Sequence, residues 1–148
     1  MDFEIDECQL YWLAGILEGE GSFMNGRNIV NQKLYLYPKI VVSMTDRDII
    51  DRVSALFGTG TYVVPNKAPD TRKDAFRAQI NGAKAAVLMT KLKPIMGHRR
   101  AEKIDEILKE YGELESTEVR RARSCSESQT MRWAQHGTRH GKLEVKDK

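Results

Sequence analysis

Apolar residues recur along the chain with two distinct periods. From Gln9 to Glu20, Leu10, Leu13 and Leu17 return three and four residues apart, with Trp12 and Ile16 as an offset second stripe, so this helix has two apolar faces. A second helical pattern opens at Thr45 or Asp46, both capping residue types, with Asp48 in its first turn. It continues through Ile49, Ile50, Val53, Leu56 and Phe57 and stops at Gly58. A third covers Ala83–Leu92, entered after Asn81-Gly82 and broken before Pro94. A fourth runs from about His98 to Tyr111 on the stripe Ile104, Ile107, Leu108. Between them the period drops to two. In Leu34–Met44, Leu34, Leu36, Ile40 and Val42 alternate with Tyr35, Tyr37, Lys39, Val41 and Ser43. Ser22–Val30 reads as its hairpin partner across Asn31-Gln32-Lys33, and Gly60–Val64 with Ala75–Asn81 as a second strand pair. The order αββαββαα predicts an α+β fold: an antiparallel sheet with helices on one face and the other face open.

The open face has a distinctive make-up. If Phe76, Ala78 and Ile80 meet the helices, then Arg77, Gln79 and Asn81 point away from them, beside Tyr35, Tyr37, Lys39 and Ser43. Such a face offers donors, acceptors and planar rings without carboxylates. An ordinary solvated sheet face satisfies the same alternation, yet these residue types are those that read base edges, and a two-stranded ribbon fits the major groove of duplex DNA.

Charge sharpens the picture. The net charge of +3 is small, but residues 1–74 carry 8 basic against 11 acidic residues and residues 75–148 carry 16 against 10, so a polyanion would be met by the second half. The chain divides into a globular domain over 1–112 and a polar tail over 113–148, basic from residue 119 onward with 8 Lys and Arg against 3 Asp and Glu. His136 and His140 in that tail stand at a metal-ligand spacing but lack a nearby carboxylate or cysteine, and a solvated tail accounts for them. With 148 residues, 41% hydrophobic, a single core is expected to hold the domain without disulfides or a structural metal. Two cysteines, Cys8 and Cys125, make neither a disulfide scaffold nor a ligand cluster. The longest apolar run, Tyr11–Leu17, is far short of the ~18 residues of a spanning helix, so no membrane partner is expected. The acidic start, Met1-Asp2-Phe3-Glu4-Ile5-Asp6-Glu7, is unlike a secretory or transit segment, which points to a cytoplasmic or organellar protein rather than a secreted one.

Chemistry concentrates in Leu13-Ala14-Gly15-Ile16-Leu17-Glu18-Gly19-Glu20-Gly21. Gly15 and Gly19 lie one turn apart inside a helix, where each glycine costs about 1 kcal/mol relative to alanine. Small residues at this spacing let two helix backbones approach closely. Glu18 and Glu20 then fall at the negative end of the helix dipole, unfavourable by about 0.3–1 kcal/mol each unless a cation is bound. An isologous dimer through this helix would bring two copies of Glu20 together, and hard carboxylate oxygens with open positions suit Mg²⁺. Paired Mg²⁺ sites activate water and stabilise a leaving oxygen in phosphodiester cleavage. A plain buried helix with tightly packed glycines and solvated glutamates satisfies the same spacing.

Tyr11-Trp12-Leu13-Ala14-Gly15-Ile16-Leu17-Glu18-Gly19-Glu20-Gly21-Ser22-Phe23 resembles the signature of the LAGLIDADG homing endonucleases, with Glu for Asp at both acidic positions. The resemblance extends over residues 9–112 through the order of elements, Thr45-Asp46-Arg47-Asp48, Gly58-Thr59-Gly60 and Leu92-Lys93-Pro94. It implies a saddle-shaped sheet that reads DNA. One motif copy is present, and single-motif members of the family are homodimers that cut near-palindromic duplexes, often encoded by mobile introns. The resemblance implies that Glu20 binds the catalytic metal with the Gly19 carbonyl, two or more Mg²⁺ ions being shared at the dimer interface. It implies that Arg99 stabilises charge on the scissile phosphates, and that Leu13, Ala14, Gly15, Glu18 and Gly19 line the dimer interface.

The DNA-facing set expected on the same grounds is Met24, Asn28, Tyr35, Tyr37, Lys39, Val41, Arg77 and Gln79 as base readers and Arg27, Lys33, Lys67, Arg72 and Lys73 as phosphate contacts, with Ser43 and Arg100 also at the DNA. One departure stands out. The family often carries Gln or Asn at the end of the second strand, where this chain has Ser43 and Met44. The alternative reading is therefore a non-cleaving DNA- or RNA-binding protein of the same fold, such as an intron maturase or a transcription regulator.

Overall fold

The computed structural model describes residues 4–67 and 73–113. Its elements follow the expected order: α1 (Glu7–Glu20), β1 (Gly21–Val30), β2 (Lys33–Met44), α2 (Arg47–Phe57), β3 (Tyr62–Val64), β4 (Ala75–Asn81) and α3 (Gly82–Leu92), then a 3-10 turn at Lys93–Ile95 and α4 over residues 98–113. The fold is α+β with one four-stranded antiparallel sheet in the order β1-β2-β4-β3.

Helix α1 begins two residues before the hydrophobic pattern does, because Asp6 and Gln9 form a reciprocal cap. The Gln9 backbone N–H donates to Asp6 Oδ1 at 2.8 Å and the Asp6 N–H donates to Gln9 Oε1 at 3.2 Å. At its other end the chain passes straight into β1 with no loop. Gly21 makes this possible, since a Cβ there would fall 2.6 Å from the Leu17 carbonyl oxygen and 2.7 Å from the Leu17 Cα. Helix α2 stops at Gly58, which is left-handed (φ 67°), and the Thr59 N–H reaches back to the Ser54 carbonyl at 2.9 Å. The Thr61 hydroxyl then ties the following loop to α2 through Asp51 (2.7 Å) and Ser54 (2.9 Å).

β1 and β2 pair over ten residues each, from Gly21 opposite Val42 to Val30 opposite Lys33. Asn31 and Gln32 close this hairpin at φ 51° and 64°, the two positive values that a two-residue type I′ turn demands. β4 pairs with β2 only over Lys39–Met44. The rest of the hairpin extends beyond the third strand as a two-stranded ribbon, and at its far end Ile29, Val30 and Leu34 are exposed.

The core lies on one side of the sheet. Phe23, Ile40, Val42, Ala78 and Ile80 meet Leu13 and Leu17 of α1, Ile50, Val53 and Phe57 of α2, Leu88, Met89 and Leu92 of α3, and Ile104 and Ile107 of α4. Each of these side chains other than Ala78 contributes roughly 1.5–3 kcal/mol through burial. Arg52 stacks on Trp12 at 3.8 Å from the ring centre, fastening α2 to the flank of α1. Among the described residues no helix is long and apolar enough to cross a membrane. Of the segment expected as a tail, all but Glu113 lies outside the described residues, as do Arg72, His136 and His140.

Candidate nucleic-acid interface and acidic centre

Strand register decides which side chains share the uncovered face. Directly opposed residues project to the same side. Ser22, Val41 and Gln79 form one row across the sheet; Met24, Lys39 and Asn81 form the next; Ser43, Arg77 and Tyr62 form a third. Along the ribbon the same face carries Asn28 opposite Tyr35, Gly26 opposite Tyr37, and Lys33. It holds no Asp or Glu among the described residues. The Tyr37 ring lies directly over Gly26, where a Cβ would come within 2.3 Å of it, so this glycine makes room for the tyrosine. Arg77 Nε donates to Ser43 Oγ at 3.1 Å, which leaves the terminal nitrogens of the guanidinium pointing away from that anchor. That geometry suits two-point recognition of a base edge.

All eight expected base readers therefore stand on one surface, and Ser43 and Lys33 join them. Arg27 does not, because it opposes Leu36 and so projects, exposed, to the side on which the helices pack. Lys67 and Lys73 are exposed on the loop between β3 and β4. Tyr62 and Asn81 belong to the face but are absent from the expected set. Tyr62 escapes sequence reading because β3 is only three residues long, too short for an alternation to show.

At the end of α1 the motif residues separate by face. Leu13 and Ala14, expected against a second copy, are 0% and 5% exposed within the chain's own core. The helical period turns them, with Leu17, toward the sheet. Gly15 and Gly19 point the other way. Both are exposed, and among the described residues a Cβ on either would meet nothing within 4 Å, so none of these residues requires them to be small. Cys8 and Tyr11 extend the same outer face, Tyr11 being 55% exposed.

The two glutamates differ in environment. Glu18 is held within its own chain: its carboxylate accepts the Gly97 N–H at 3.0 Å and lies 4.0 Å from Arg100 Nε. Its backbone carbonyl accepts Arg100 Nη2 at 3.1 Å. Arg100 is consequently turned inward, its side chain 18% exposed and its guanidinium 5.9 Å from the centre of the Phe23 ring, rather than presented to a phosphate. Glu20 is exposed and has no hydrogen-bond or ion-pair partner among the described residues. A carboxylate at the negative end of a helix without a compensating cation is a natural ligand for one. Arg99 is likewise exposed and unpartnered among the described residues, beside a shallow depression shared with Arg100, Glu102, Lys103 and Glu106.

Among the described residues no group of three or more His, Cys, Asp or Glu side chains could hold a metal ion. One protomer thus offers Mg²⁺ hard oxygen donors of the right kind, Glu20 and the neighbouring Gly19 carbonyl, but too few to surround it. At the end of β2, Ser43 Oγ accepts a hydrogen bond from Arg77 and keeps its own O–H donor, while Met44 packs against the core and offers no polar group.

No protein-family model and no curated protein sequence matches the chain. Solved structures do resemble it. The homing endonuclease I-CvuI in complex with its target in the presence of calcium superposes with a TM-score of 0.58 at 18% identity, over 75% of this chain and 70% of that one. The group I intron-encoded homing endonuclease I-CeuI complexed with DNA gives 0.58 at 12% identity, over 97% and 73%. The LAGLIDADG homing endonuclease I-GzeII with its DNA target gives 0.54 at 14% identity over 74% of this chain, which spans only 37% of that protein. A motif helix ending in two glutamates, an open carboxylate-free sheet face and these superpositions agree: the chain has the LAGLIDADG homing-endonuclease fold.

Proposed function

We propose that this protein is a site-specific endonuclease that binds duplex DNA on its open sheet face and cuts both strands as a homodimer, with Mg²⁺ as cofactor. The observation that carries the proposal is the state of the motif helix. Among the described residues nothing lies where a Cβ on its outward glycines would stand, and its last glutamate has no partner. A second copy packed along Gly15 and Gly19 accounts for both, since it brings a second Glu20 close to the first.

In this reading Glu20 and the Gly19 carbonyl of each copy would hold the metal. Bound Mg²⁺ supplies an activated water and charge neutralisation at the leaving oxygen. The chain's own groups do the rest. Arg99 balances negative charge developing on the scissile phosphate. Met24, Asn28, Tyr35, Tyr37, Lys39, Val41, Arg77 and Gln79 read base edges, Ser43 orients Arg77, and Lys33, Lys67 and Lys73 hold the backbone. A mobile intron in a cytoplasmic or organellar genome is the expected setting.

The test is incubation of the purified protein with duplexes of randomised sequence, and with the locus that flanks its gene, in Mg²⁺, Ca²⁺ or EDTA. Discrete cuts on both strands in Mg²⁺ alone, symmetric about a centre, are the expected result. The residue types at the end of β2, Ser43 and Met44 where the resembled family often carries Gln or Asn, favour one second reading, a binding protein of this fold without cleavage. Sequence-specific binding without cutting under any divalent metal would establish that reading in place of the first.

A further inference from the structure

The proposed catalytic groups lie on different elements. Glu20 is the last residue of α1, and Arg99 is the second residue of α4, 79 positions later. The contacts that join these two helix ends run through Glu18. Its carboxylate accepts the N–H of Gly97, the residue whose carbonyl opens α4 by accepting the Ala101 N–H at 2.9 Å. In a capping box the N-cap N–H is met by an acidic or amide side chain of the third helical residue; that residue here is Arg100, and a carboxylate from α1 meets the Gly97 N–H instead. Contact in the other direction is equally direct: Arg100 Nη2 donates to the Glu18 carbonyl in the last turn of α1, placing a cation at that helix's negative end. Each helix end is thus closed by a charged side chain from the other. Gly97 is also fitted to this arrangement, since a Cβ on it would approach Glu18 Oε1 to 3.0 Å.

Resting on the nuclease reading above, we infer that Glu18 is a positioning residue, which with Arg100 locks the end of α1 to the start of α4 and so fixes Glu20 and Arg99 within one site. The acid two residues before Glu20 is then required as a cross-helix cap. Its carboxylate is engaged by the Gly97 N–H and faces Arg100 Nε at 4.0 Å, whereas Glu20 has no such partner among the described residues. The pairing also eases the electrostatic conflict of two acids at a helix C-terminus, since one of them faces a cation from α4.

The experiment compares full-length wild type with Glu18→Gln and Glu18→Ala. Glutamine keeps an acceptor for the Gly97 N–H but loses the charge facing Arg100; alanine loses both. Amide hydrogen exchange at Gly97 reads the contact without reference to activity, and is expected to quicken at least tenfold in Glu18→Ala and much less in Glu18→Gln. Single-turnover cleavage at saturating DNA and Mg²⁺ is expected to fall by a hundredfold or more in Glu18→Ala and to be partly rescued in Glu18→Gln. DNA affinity, molecular mass and folded fraction should stay within twofold of wild type, a split that general destabilisation does not produce. Because the pair acts as a unit, Arg100→Met should cut as slowly as Glu18→Ala, and the double variant no more slowly than either. Wild-type cutting rates in Glu18→Ala, or unaltered exchange at Gly97, overturn the inference. A wild type that never cuts overturns the nuclease reading and the catalytic role of Glu18 with it, and the exchange data then show separately whether the cap exists.

Discussion

Replacing Gly15 by alanine separates two accounts of the motif helix, because they predict opposite signs. Gly15 lies in the interior of α1, where alanine is preferred over glycine by about 1 kcal/mol. Among the described residues the new methyl group meets nothing within 4 Å, so no contact there is lost or strained. An isolated protomer should therefore gain about 1 kcal/mol, raising its Tm by roughly 4 °C for a domain of this size. If a second copy packs its helix backbone against this face, the methyl enters the closest part of the contact twice, once from each protomer. Overpacking costs about 1–3 kcal/mol per site, and each 1.4 kcal/mol is tenfold in affinity, so dimerisation should weaken at least tenfold. Thermal unfolding followed by circular dichroism across a range of protein concentration, alongside sedimentation equilibrium, measures both effects. The expected pattern is a higher Tm for the variant where wild type is monomeric and a lower Tm where wild type is dimeric. A variant that melts higher at every concentration, with its association constant unchanged, would refute the assignment of Gly15 to an interface.

Other consequences concern the junction and the reading face. Gly21→Ala forces a Cβ onto the Leu17 backbone and should destabilise the fold by about 1–3 kcal/mol, seen as a lower denaturant midpoint; an unchanged midpoint would contradict the close approach at the α1–β1 junction. Arg77→Ala should lose about 1–3 kcal/mol of discrimination at one base pair while leaving the salt dependence of binding nearly intact, measured by titration against single-position variants of the site. Lys33→Ala should do the reverse, weakening all sequences alike and lowering the slope of log affinity against log salt by about one.

Much of this arrangement is legible in the sequence because it rests on local periodicity. The alternation in Leu34–Met44 places Ile40 and Val42 in the core and Tyr35, Lys39 and Ser43 on the open face, as observed. Gly58 and the Asn31-Gln32 pair end elements where the backbone needs left-handed residues. The Asp6–Gln9 cap could also have been read, since an acid followed three residues later by glutamine is a capping-box signal. Long-range placement is what periodicity omits. Nothing near Glu18 in the chain announces that its partners are Gly97 and Arg100, about 80 residues away, so two acids separated by one glycine look equivalent in sequence and differ in the fold. Arg100 illustrates the same limit. It belongs to a basic run with His98 and Arg99, yet its neighbour Arg99 faces solvent while Arg100 turns toward Phe23. Leu13 and Ala14 share a motif with Gly15, but helix geometry directs them to the core and the glycine outward.

The most direct test of the account compares wild type with Glu20→Gln for cleavage and binding of one cognate duplex in Mg²⁺. The substitution keeps the shape of the side chain and removes the charge. Losing the charge-bearing ligand should slow cutting at least about a thousandfold, equivalent to several kcal/mol of transition-state stabilisation. DNA binding in Ca²⁺ should stay within a few-fold of wild type, because Glu20 is not part of the sheet face that reads the duplex. Cleavage by Glu20→Gln at the wild-type rate would contradict the central claim that this glutamate, at the end of the motif helix, holds the catalytic metal.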